Sequence, residues 1–332
     1  MGALMKFHAV ALVLFSFLLG LTVPWNSADA QQAQRIYRVG VLNFGSSVPN
    51  PLSTPINSRL IESLAELGFR EGHNLVLEYR WAEANFDRVQ PLTAELVQAN
   101  VDAIVTIGNK LAQMVTAANP RIPMVSLSCD PHSIVASYAK PNGNFTGVTC
   151  MSTELSPKRL EFVKHVLPAA KRVVYLHNPN QGAMGLELTQ KASLQLGLTV
   201  RAVEMRSPDE LDNALAAIAK ERPDALLVYP DALTFRYRKE IADFALAERL
   251  PSIYAYKEFA EAGGLLSYGS TLTELGDRAG ELVTKILRGV KPHDLPIEQA
   301  TRVSLTLNMK SARAMNFSIP QTLLVRADHV IE

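Results

Sequence analysis

The sequence has no surplus of either charge: 33 Lys and Arg stand against 32 Asp and Glu, a formal net charge of +1. A nucleic-acid binder that works by neutralising phosphates is thereby excluded. With 48% hydrophobic and 20% charged residues, the composition is not that of disorder, collagen or coiled coil, and a globular fold is expected. Catalytic signatures are missing as well: there is no G-x-S-x-G, no H-E-x-x-H, no G-x-x-x-x-G-K-[ST], and no G-x-G-x-x-G after the first predicted strand. No two of the seven histidines stand three or four residues apart, so a helical metal site has no foothold. No catalytic residue, metal or cofactor is expected. Triads assemble in space, so missing motifs lower the expectation of catalysis without abolishing it.

Long apolar runs are scarce too, and the one present is at the start. A short basic opening with Lys6 leads into the apolar Ala9 to Val23, then Pro24 and Ala28-Asp29-Ala30, a small-x-small cleavage site. This is the order of a secretory signal peptide, residues 1–30, cut after Ala30. Its apolar core is short for a span of about 20 residues. No cysteine lies at the cleavage site to carry a lipid. The mature chain is expected to be soluble outside the cytoplasm, most simply in a bacterial periplasm. Only Cys129 and Cys150 remain to form a bond there. In an oxidising compartment an even pair predicts a disulfide, worth roughly 3 kcal/mol for a loop of this size. Two buried small hydrophobes are the competing reading.

What is present is a pattern played twice. Short apolar runs alternate with helical periods in steps of about 30 residues, which implies parallel sheets flanked by helices. The first run offers strands at Tyr37–Phe44, Leu75–Trp81, Ala103–Ile107, Met124–Ser128 and Phe145–Cys150. The second offers Arg172–His177, Thr199–Met205, Ala225–Tyr229, Ser252–Tyr256 and Leu265–Tyr268. One helix is expected over Arg236–Arg249, and N-caps with following prolines are expected at Ser156-Pro157 and Ser207-Pro208, the second with Glu210 as capping-box partner. The fold class is therefore α/β, with two doubly wound parallel-sheet lobes. The first lobe covers 36–150, with 273–300 returning to it, and the second covers 151–272, with 301–332 returning. Several crossings between lobes make a multi-strand hinge.

Parallel sheets place ligands at the carboxyl ends of their strands. Those ends carry Phe44, Ser46, Ser47, Asn109, Lys110 and Asp130 in the first lobe, and Asn178, Asp231 and Tyr256 in the second. Amide, hydroxyl, carboxylate and aromatic groups of this kind suit a zwitterion or a hydroxylated acid, with helix N-termini for the anion, a carboxylate for an ammonium and rings for an apolar body. Asp130-Pro131 and Asn178-Pro179 serve equally well as helix caps. Lys110 is either a counter-charge for an anion or a solvated stem. Trp81 either packs at the sheet edge or touches ligand. No sequence cue gives Ser46 or Ser47 a general base, so a secreted hydrolase is a minor alternative.

Beyond these patterns, Glu258-Phe259-Ala260-Glu261-Ala262-Gly263-Gly264-Leu265-Leu266-Ser267-Tyr268-Gly269 resembles the hallmark of one group of ABC-transporter substrate-binding proteins. Ala65-Glu66-Leu67-Gly68-Phe69, Glu78-Tyr79-Arg80-Trp81-Ala82 and Pro141-Asn142-Gly143-Asn144-Phe145-Thr146-Gly147 are similar to its first lobe. The resemblance implies a type I periplasmic-binding fold and a monomeric receptor that passes a small amino acid or aromatic acid to membrane permease subunits. Well-known members of that group bind tryptophan, tyrosine and phenylalanine. Cys129 and Asn109-Lys110 depart from the group's usual residues at ligand loops, which leaves aromatic carboxylates, branched-chain and other amino acids open. A sensor input that docks on a signalling receptor is the alternative role.

Overall fold

Strands covered by helices on both faces are buried on both faces, and so read as continuous apolar runs. The computed structural model describes residues 35–45, 47–119, 121–129, 134–141, 143–181 and 183–332. The expected signal segment, Ser46 and Asp130 lie outside the described residues. Strands β1 (Tyr37–Asn43), β2 (Leu75–Trp81), β3 (Ala103–Ile107), β4 (Met124–Ser128) and β5 (Phe145–Thr149) join β11 (Glu298–Gln299) in the first sheet. Its order is β11-β5-β4-β3-β1-β2, parallel throughout. The second sheet contains β6 (Arg172–His177), β7 (Thr199–Glu204), β8 (Ala225–Val228), β9 (Ser252–Tyr254), β10 (Leu266–Ser270), β12 (Val303–Asn308) and β13 (His329–Ile331). Its order is β13-β12-β10-β9-β8-β6-β7, and the β10–β12 pair is antiparallel. The molecule is thus two α/β lobes, each built on a largely parallel sheet.

Helices α1 (Pro55–Glu66), α2 (Val89–Gln98), α3 (Asn109–Ala118) and α10 (Leu272–Leu287) flank the first sheet. In the second lobe follow α4 (Ser152–Val166), α5 (Ala183–Leu196), α6 (Leu211–Glu221), α7 (Ala232–Arg236), α8 (Arg238–Ala247), α9 (Lys257–Glu261), α11 (Met309–Ala314) and α12 (Gln321–Leu324). The chain passes between the sheets after β5, after β10 and after β11. These crossings are tied together. Ser270 Oγ donates to the Cys150 carbonyl at 3.0 Å. The Glu274 carboxylate accepts the backbone N–H groups of Thr301 (2.8 Å) and Arg302 (3.0 Å) and pairs with Arg278 at 3.1 Å. Burial alone would push that carboxyl up, but these donors hold it below the ordinary carboxylate range. One buried cluster then runs from Val39, Leu60 and Val105 through Leu282 to Leu226 and Tyr254 of the second lobe.

Three local expectations are corrected. The expected N-cap at Ser156-Pro157 is absent, because α4 starts at Ser152, directly after Met151 in a left-handed turn, and encloses Pro157. Arg159 stabilises that earlier start by reaching back to Ser152 Oγ at 2.7 Å and Ser156 Oγ at 3.1 Å. At Ser207-Pro208 the serine takes the N-cap position with the proline after it, as expected, at the head of a short 3-10 turn that leads into α6, but the capping box is absent: Glu210 accepts the Arg206 N–H at 2.8 Å instead. The single helix over Arg236–Arg249 is two helices that begin earlier, since Asp231 and Thr234 form a capping box immediately after β8.

Candidate functional site

A cleft of about 700 Å³ lies between the lobes at the carboxyl ends of both sets of strands, within the range of small-molecule sites. The lobes meet across it. Tyr256, just beyond β9, reaches Cys129, just beyond β4, with its hydroxyl 3.3 Å from the sulfur. Cys129 and Cys150 are joined in a disulfide with Cα atoms 4.8 Å apart; such a sulfur carries no proton, so the tyrosine donates. Gly108, with positive φ at the start of α3, lies opposite Gln181 of the second lobe: a Cβ there would be in ordinary contact with its Oε1, at 3.4 Å. Ala232 of α7 packs on the first-lobe cluster of Leu42, Phe44 and Leu111.

The strand-end residues divide between lining and support. Phe44, Asn109, Asp231, Tyr256 and both cysteines line the cleft. Phe44 is buried and stacks on Phe86 with ring centroids 4.2 Å apart. Asn109 opens α3, and its Oδ1 accepts the Cys129 N–H at 3.0 Å, linking the β3 and β4 ends. Ser47 is exposed, its N–H donated to Glu83 Oε1 at 2.9 Å; it is outside the cleft wall. Lys110 is half-buried in the first turn of α3 and is also outside the wall. Asn178 is fully buried behind the wall and forms a turn, its Oδ1 accepting the Asn180 N–H at 3.0 Å. It does not start a helix, because α5 begins only at Ala183.

Asp231 has two different oxygens. Oδ1 accepts the Thr234 N–H at 2.6 Å and its hydroxyl at 2.9 Å, as an N-cap. Oδ2 is buried and makes no hydrogen bond. Burial pushes this carboxyl up, against the Thr234 donors and the nearby Asn178 amide. Asn178 Nδ2 makes no hydrogen bond with it. Across the cleft, Asn43 Nδ2 at the end of β1 is a buried donor without a partner. Gln181 and Glu258 line the cleft as well, and sequence reasoning assigns neither of them a role there. Glu258 is the third such orphan: its Oε2 is buried and unpaired, and burial pushes its carboxyl up. The signal for it was its place two residues after Tyr256, past the end of β9. Trp81 lines the cleft from the end of β2.

Behind the aromatic wall lies a buried cation. Arg159 is 3% exposed and held by neutral oxygens, those of Ser152, Ser156 and the Tyr268 carbonyl. Burial pushes its guanidinium down, and its charge is felt at the Tyr229 and Tyr256 hydroxyls of the wall. Among the described residues no three His, Cys, Asp or Glu are placed to hold a metal ion, and no helix is long and apolar enough to cross a membrane. The arrangement is that of a binding cleft with an unpaired amide donor, Asn43 Nδ2, on one lobe and unpaired carboxylate oxygens of Asp231 and Glu258 on the other.

Comparison with known proteins gives the same picture. The tyrosine-binding protein of Clostridioides difficile is 24% identical over 282 residues, 82% of this chain and 81% of the relative. A conserved domain protein from Vibrio cholerae superposes with a TM-score of 0.83 at 24% identity, over 89% of this chain and 100% of that one. A streptococcal ABC domain in complex with L-Trp superposes with a TM-score of 0.80 at 24% identity and the same coverage. The family described as ABC transporter substrate binding protein matches residues 44–331. With two α/β lobes, a cleft between them and that match over most of its length, the chain belongs to the ABC transporter substrate-binding proteins, solute receptors of ABC importers.

Proposed function

We propose that the cleft captures a small amino acid or an aromatic carboxylate and that the closed protein, as a monomer, delivers it to the permease subunits of an importer. The observation that carries this reading is the pair of orphaned groups on opposite lobes, the Asn43 Nδ2 donor and the Asp231 Oδ2 acceptor. A zwitterion satisfies both: its carboxylate accepts from the amide and its ammonium donates to the carboxylate. Trp81, Tyr229 and Tyr256 offer aromatic surface to an apolar body. The ligands named for the clostridial and streptococcal relatives, tyrosine and L-Trp, are of the same class. The basic and apolar start of the chain supports export with cleavage after Ala30, which intact-mass measurement of the exported protein tests; full-length chain in the membrane fraction would refute it.

Calorimetric titration with L-amino acids and aromatic acids tests the ligand class. Asp231→Asn is expected to cost about 1.5–3 kcal/mol of affinity for an ammonium-bearing ligand. Its melting temperature should stay near that of the native chain, because asparagine caps a helix about as well. Native affinity in this variant would leave Asp231 a cap alone and remove the ammonium reading.

A further inference from the structure

Glu258 is a second carboxylate in a cleft whose α-ammonium the proposed reading already assigns to Asp231. It sits past the end of β9, beside the β8 end that carries Asp231. Both residues are 8% exposed and both face the cleft, and each has one oxygen without a hydrogen bond. The two cations that act on Glu258 are engaged elsewhere. Lys257 bonds Glu261 at 2.7 Å. Arg238 donates to the Phe235 carbonyl at 3.0 Å and lies over the Phe235 ring. The carboxylate turns back only on its own backbone N–H. A buried acceptor left in this way costs stability, so it persists where something in the bound state satisfies it.

We infer that Glu258 is a specificity-determining residue that receives a second hydrogen-bond donor of the ligand, so that the cleft selects amino acids whose side chain carries an N–H or O–H group over isosteres without one. The inference rests on the reading of the cleft as an amino-acid receptor. The unpaired groups of the cleft wall support it: lobe two presents two, the acceptors Asp231 Oδ2 and Glu258 Oε2, while lobe one presents the Asn43 Nδ2 donor. Where the α-ammonium is held at Asp231 alone, an apolar side chain leaves Glu258 without a partner, and a side-chain N–H or O–H supplies one. A site that holds a buried acceptor for a donor rejects the analogue lacking it strongly, because the protein group is then buried unpaired.

The test is calorimetric titration of the purified mature chain with three matched pairs: L-tyrosine and L-phenylalanine, L-tryptophan and 1-methyl-L-tryptophan, L-lysine and L-norleucine. In at least one pair the donor-bearing member should bind roughly 10-fold or more tightly. Glu258→Gln should reduce that ratio to within about threefold, chiefly by weakening the donor-bearing member. Without ligand, this variant should melt at or above the native temperature, since a buried carboxylate has been replaced by a neutral amide. Equal binding within every bound pair, or a preference that survives Glu258→Gln, overturns the inference and leaves the amino-acid receptor standing. A lower melting temperature with the preference intact makes Glu258 structural and also overturns it. If none of the six amino acids binds, the reading of the cleft falls and takes the inference with it.

Discussion

His177 shows how a single side chain at a strand end ties stability to pH. It closes β6, is 3% exposed, and neither ring nitrogen has a hydrogen bond. Burial holds its imidazole below the ordinary value, which is about 6.5. The unfolded chain therefore takes up a proton before the folded one does. The stability that the neutral ring permits is complete above about pH 6.5 and is lost as the pH falls below it. His177→Leu removes the titration while keeping the volume approximately. Thermal melts across pH 5 to 8 should show the native chain losing stability toward the acid end more steeply than the variant; parallel curves would mean that the ring opens to solvent before it charges.

At the scale of elements, the α1–α10 pair fastens the returning segment to the first lobe. Gly276 lets α10 approach α1 so closely that a Cβ there would lie 2.5 Å from the Ile56 carbonyl oxygen, and one at Gly280 would lie 2.5 Å from Ser63 Oγ. Backbone cannot yield as a flexible side chain does. Gly276→Ala is expected to destabilise by about 1–3 kcal/mol, read as an earlier midpoint in urea with little change in slope. An unchanged midpoint would show that the two helices separate freely. Elements of this kind differ in how plainly the sequence announces them. Strands β2, β3 and β4 were legible to the residue, because a run such as Ala103–Ile107 sits between two layers and has no polar face to interrupt it. The two-residue β11, Glu298–Gln299, and the exposed β13, His329–Ile331, have no apolar run and were not legible. The site divides likewise. Asp231 and Tyr256 follow strands and could be read from position alone. Glu258 could not, since Lys257, Glu258 and Glu261 together look like the solvated face of a helix, whereas in the fold Glu258 is buried.

For the whole molecule, closure is the property on which delivery depends. Two lobes joined by three crossings can swing about the hinge, and a ligand held by both shifts the population toward the closed form. Solution scattering should record a smaller radius of gyration once a confirmed ligand saturates the cleft; an unchanged radius would mean a rigid site within one lobe. Tyr256→Phe removes the hydrogen bond from the second lobe to the first-lobe sulfur. It should weaken binding by about 0.5–1.5 kcal/mol and leave the ligand-free protein more open by the same scattering measure.

The disulfide belongs to the cleft wall and not to the outer face of the lobe. Whatever fills the cleft therefore stands between that bond and any thiol dissolved outside, with Tyr256 closed over one of its sulfurs. Occupancy then acts as a shield with a measurable leak. With dithiothreitol added, free cysteines should appear at a rate set by how often the cleft is vacant, so a tighter ligand gives a slower release of thiol. A protein of this build would report its own loading through the lifetime of its single cross-link, with no label attached, and a rate indifferent to ligand would mean that reductant enters from behind the sheet.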